Sequence, residues 1–162
     1  MHSGRLGGEV KLGGWAADGT SVAMHTLTRS ATMKQNLALT IASLLSILLM
    51  TFHMADDIVR GMESGGPWNL IVVPILVTWL YGTVVLAGRR SGYAIILLGS
   101  LLGAVVPIVH FKSAGGVASG EIAKSTGAWF FVWTQVALGV TAVFSVPLSL
   151  RGLVSPRRPS TP

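Results

Sequence analysis

The chain contains no cysteine. Disulfides, thiolate metal sites, iron–sulfur clusters and cysteine nucleophiles are thereby excluded. Charge is also scarce, with Asp, Glu, Lys and Arg making up 11% of residues against about a quarter in a soluble domain. None of these four residue types stands near the centre of a long apolar run, where an ion-coupled carrier would need one. A His-Glu-x-x-His zinc helix, a Gly-x-Ser-x-Gly nucleophile elbow, a glycine-rich phosphate loop, heptads and internal repeats are missing too.

What is present is apolar. Hydrophobic residues make up 51% of the 162, and the mean hydropathy is +0.64. This places a one-domain length of chain in the membrane class. Four runs are long enough to cross a hydrocarbon core of about 30 Å. They predict spans over residues 37–60, 68–87, 93–111 and 129–150 within a membrane domain at 34–152. Gly61 suits a C-terminal cap for the first, and Gly65-Gly66-Pro67 breaks the chain before the second. Gly88 to Gly92 leaves room only for a tight reversal. The expected fold is therefore all-α, an antiparallel four-helix membrane bundle with up-down topology.

Residues 1–33 are Gly-rich and polar, and their composition predicts a disordered tail or translation starting at Met24 or Met33. Residues 153–162 form a basic, Pro-rich tail. Of the 12 Lys and Arg, only Arg60, Lys112 and Lys124 fall on the side opposite the two termini. By the positive-inside rule both termini are cytoplasmic, in a multi-pass protein of the cell membrane. The net charge of +6 then reflects topology and contact with anionic lipid, so nucleic acid is not an expected partner.

Membrane helices pack through small residues, because apolar side chains gain little by leaving lipid. Ala42 and Ser46 in the first span, and Gly99 and Gly103 in the third, have the small-xxx-small spacing. These are the expected packing faces, and a homo-oligomer or a membrane protein partner could also use them. Pro74, Pro107 and Pro147 lie within spans and predict kinks. Trp79, near mid-span, reads as packing.

The ionisable groups gather in Phe52-His53-Met54-Ala55-Asp56-Asp57-Ile58-Val59-Arg60. At about 100° per residue, Ala42, Ser46, His53, Asp57 and Arg60 share one helical stripe. His53, Asp57 and Arg60 thus form a ladder with Asp57 and Arg60 as a local ion pair, and Asp56 stands one turn from both His53 and Arg60. Gly99, Gly103 and His110 share a stripe on the third span. Counted from the opposite ends of their spans, His53 and His110 lie at about 26 and about 27 Å, one common depth.

Three functions follow. The plainest is an accessory or interaction subunit without catalysis, whose ladder simply ends a helix at the headgroups. The second is a metal site of His53, His110, Asp56 and Asp57, or haem ligated by the two histidines. Met50 and Met54 would add soft ligands for copper(I). The third is translocation of protons or a small solute. Gln135, a strong hydrogen-bonder within a span, is expected to bridge helices.

Overall fold

The computed structural model describes residues 14–61, 66–112, 124 and 126–155. Among them all regular structure is helical: α1 (Gly14–Val59), a 3-10 turn over Pro67–Ile71, α2 (Val72–Val84), α3 (Arg90–Lys112) and α4 (Ala128–Val154). Three helices, α1 from Ser21 onward, α3 and α4, are long and apolar enough to cross a membrane. α2 is apolar but has only 13 residues. The reason lies in Pro74, expected as an interior kink. It occupies the first turn of α2, where a missing N–H removes no helical bond. The residues before it wind as the tighter 3-10 turn.

α1 starts well before the apolar run, at Gly14. The first proline of the chain is Pro67, and a nucleated helix extends cheaply until something stops it. Residues 14–33 are therefore helical where composition predicts a tail, while 1–13 lie outside the described residues, as do 156–162 of the C-terminal tail. The chain divides into two compact units, Met1–Lys34 and Gln35–Pro162. In the first, the hydroxyls of Thr28 and Thr32 donate to carbonyls four residues back at 2.6 and 3.0 Å.

In the second unit, side chains link the helices at three levels. At the Asn36 level, Tyr93 Oη donates to Asn36 Oδ1 at 2.6 Å and Gln35 Nε2 to the Leu148 carbonyl at 3.2 Å. Gly152 lies so close under the Tyr93 ring that any Cβ there would collide with it. Mid-bundle, Trp79 Nε1 donates to Ser43 Oγ at 2.9 Å. Ser43 and Thr83 hydroxyls meet at 2.7 Å, and Thr83 Oγ1 donates to the Trp79 carbonyl at 2.8 Å. Trp79 is thus both packing and hydrogen-bonded. Gly99 admits its indole, since a Cβ at Gly99 would strike the ring. Ser46 Oγ lies 2.9 Å from both the Ala42 carbonyl and Thr141 Oγ1. The third level, at the end of α1, is set by its termination. The helix stops at Val59, and Gly61 turns left-handed at φ 69°, a conformation that costs glycine nothing.

Candidate functional site

His53 and Asp57 are one turn apart on the inner face of α1, and His110 stands in the last turn of α3. Helical spacing puts the first two in line, and the equal depth of the two helix ends brings the third alongside. The imidazole rings meet edge to face, with centroids 4.6 Å apart. Asp57 Oδ2 lies 3.3 Å from His53 Nε2 and 3.6 Å from His110 Nε2. The three ligand-type atoms all fall within 4.8 Å of one another. His53 and Asp57 side chains are sealed at 3% exposure each, whereas His110 is 21% exposed.

Asp56 faces elsewhere. Its Oδ2 accepts from Arg60 Nε at 2.7 Å, and Arg60 Nη2 donates to the Gly127 carbonyl at the start of α4, at 3.0 Å. The guanidinium that the sequence pairs with Asp57 is therefore seated on Asp56, and Asp57 turns toward the histidines. Adjacent residues on a helix point about 100° apart, and here the two carboxylates meet different partners. Asp56 accordingly belongs to the ion pair rather than to the three-residue cluster.

α4 supplies the remaining wall. Phe131 is buried, with its ring centroid 6.0 Å from that of His53 and 5.7 Å from that of His110. The Arg60 guanidinium carbon sits 5.4 Å from the Phe131 centroid, a cation–π contact. One turn on, Gln135 Nε2 is 2.9 Å from His53 Nδ1. An amide nitrogen only donates, so with this amide orientation Nδ1 accepts and the His53 proton sits on Nε2, toward Asp57. Gln135 does bridge helices. Its tie to His53, and the part played by Phe131, escape a reading of the sequence. Their one signal is the i, i+4 spacing that sets both on one face of α4.

The packing residues stand apart from this cluster. Ala42 and Ser46 are buried on α1, and Gly99 and Gly103 on α3. They are covered within the chain. Comparison with protein-family models, curated proteins and solved structures finds no match to this chain.

Proposed function

We propose that the chain is a multi-pass membrane protein that binds one divalent first-row metal ion through His53, Asp57 and His110. The supporting observation is the spacing of the ligand atoms. Distances of 3.3 and 3.6 Å are long for charge-assisted hydrogen bonds, which run about 2.7–2.9 Å. They are close to the edge of a tetrahedron with bonds of about 2.0–2.1 Å, roughly 3.3 Å, and all three ligand atoms lie within 4.8 Å of one another. Two imidazoles and a carboxylate suit zinc or another first-row ion, with a fourth position left for water or another ligand. Haem is poorly served, because the two rings stand in edge contact and leave no slot between them for a macrocycle.

Gln135 fits this reading in a specific way. Metal on Nε2 of His53 requires the ring proton to move to Nδ1, which then needs an acceptor. The buried Oε1 of Gln135 has no hydrogen-bond partner among the described residues. Rotating the amide by half a turn would present that oxygen to Nδ1–H, the outer-shell contact that orients a ligating ring.

The topology belongs to the same proposal. The helix-end contacts support an up-down bundle, with α2 and its 3-10 turn together rising about 30 Å. Both termini then lie in the cytoplasm by the distribution of Lys and Arg, and the metal site faces outward. Metal joining α1 to α3 would lock the outer end of a small accessory subunit. Proton translocation is less well supported, since no Asp, Glu, Lys, Arg or His occurs in residues 37–52, 72–87, 93–109 or 129–150.

The test uses full-length protein, stripped with chelator and titrated with zinc against a chromophoric competitor. We expect one tight site per chain, weakened at least about 100-fold in Asp57→Asn and in His110→Ala, and unchanged in His2→Ala with His25→Ala. Binding that survives both cluster substitutions, or no binding at all, overturns the reading.

A further inference from the structure

The three-residue cluster has two approaches. His110, 21% exposed, borders an open groove whose other lining residues include Met54, Val106 and Val109. Those walls are apolar, and a hydrated divalent ion would have to shed water there at high cost. The second approach is polar. It lies at Asp56 and Arg60, whose side chains are 16 and 13% exposed, beside His53 and Asp57, sealed at 3% each. Phe131, itself buried, packs against the guanidinium and against both imidazoles, with centroid distances of 5.4, 6.0 and 5.7 Å.

One oxygen joins Arg60 to that ring's own backbone. The Gly127 carbonyl accepts from Arg60 Nη2 at 3.0 Å and from the Phe131 N–H at 3.2 Å. The second bond opens the first turn of α4, so Arg60 holds the turn that carries Phe131. Gly127 is left-handed, at φ 78°, and a Cβ there would lie 3.2 Å from Arg60 Nη2, so the fit depends on glycine. Asp56 holds the guanidinium in turn, accepting at Oδ2 from Nε at 2.7 Å. In this position Arg60 both neutralises Asp56 and presents positive charge to an incoming cation.

We infer that Arg60 gates the cluster, controlling exchange of the metal ion; this deepens the metal reading and rests on it. Seated on Asp56 and Gly127, the guanidinium keeps Phe131 against the imidazoles and bars the polar approach. Swung away, it releases the first turn of α4 and leaves Asp56 as the carboxylate that an entering or leaving ion meets first. Arg60 supplies no ligand atom, so the gate sets the rates of loading and release together.

The experiment uses full-length protein in phosphatidylcholine nanodiscs. Stopped flow with a zinc-responsive indicator follows loading of chelator-stripped protein, and excess chelator follows release. Arg60→Gln is expected to speed loading and release by at least about tenfold each, as removal of a gate does. Arg60→Lys keeps the charge but lacks the planar fork that spans Asp56 and Gly127, and it should speed both rates by a smaller factor. Circular dichroism confirms the fold of each variant. Faster loading with unchanged or slower release would report lost charge repulsion alone, and faster release alone would report weakened ligands. Either result overturns the gate, as do wild-type rates in both variants, while tight zinc binding in those cases leaves the metal reading standing. Wild-type protein that binds no zinc overturns the metal reading and the gate with it.

Discussion

Ser43, Trp79 and Thr83 in the middle of the bundle, and His53, Asp57 and His110 at its end, are both buried polar groups that join α1 to a neighbouring helix. Their geometry differs. The middle group closes on itself through contacts of 2.7, 2.8 and 2.9 Å. The end group is spread at 3.3 and 3.6 Å around one carboxylate oxygen, with the Gln135 carbonyl oxygen beside it unpartnered among the described residues. Burying polar atoms is tolerated where they are bonded and costs about 1–3 kcal/mol per orphaned group where they are not. The first group is complete as a piece of architecture. The second has the spacing of ligands about a shared centre. Burial alone therefore does not separate the two groups; the distances do, and they carry the proposed metal reading.

Four substitutions and one change of condition would break or sharpen that contrast. The largest effect is expected from Trp79→Ala, which empties the core beneath Gly99 and should lower stability by about 3–5 kcal/mol. Detergent unfolding measures this, and zinc affinity of the folded fraction should stay near wild type. If zinc were lost along with stability, the two regions would be one. Gln135→Leu should weaken zinc about 10–100-fold, as loss of an outer-shell partner does, while Gln135→Glu, an acceptor on both oxygens, should bind at least as tightly as wild type. Equal affinity in the Leu variant would detach Gln135 from the site.

Acidification provides the third contrast. Imidazoles must shed protons to ligate, so zinc affinity should fall with falling pH, by about tenfold per pH unit for each proton displaced. No titratable group takes part in the middle group, and its contribution should stay flat. A pH-independent zinc affinity would count against histidine ligation. The smallest effect is expected from Ser43→Ala, about 0.6 kcal/mol by the average for interhelical bonds in membranes. A loss several times larger would show that the middle group acts as more than a set of ordinary contacts.

Much of the frame was legible in the sequence because lipid imposes a simple rule: apolar runs of sufficient length become helices. The third and fourth runs are α3 and α4 with only a few residues added at their ends. The second run fell short as an α-helix because two prolines, Pro67 and Pro74, bracket its start. Counting residues gave His53 and His110 a common depth, and their rings meet at 4.6 Å. The division of labour between Asp56 and Asp57 was not legible. Both i+3 and i+4 neighbours are reachable on a helix, and the choice depends on where Gly127 and Phe131 arrive from α4. Gln135 was recognisable as a bridge but not as His53's partner, since no local pattern encodes a contact 82 residues away.

The position of α4 after α3 has a consequence for biosynthesis. His53, Asp57 and His110 all precede Lys112, so every residue of the three-residue cluster is synthesised before α4. α4 then brings Phe131 as a wall and Gln135 as a brace, and its Gly152 slides under Tyr93 at the opposite end. The cluster's side chains thus come from α1 and α3, and α4 encloses them. On the proposed metal reading, an ion would have its easiest access before α4 docks, and loading would then be part of assembly rather than an event that follows it.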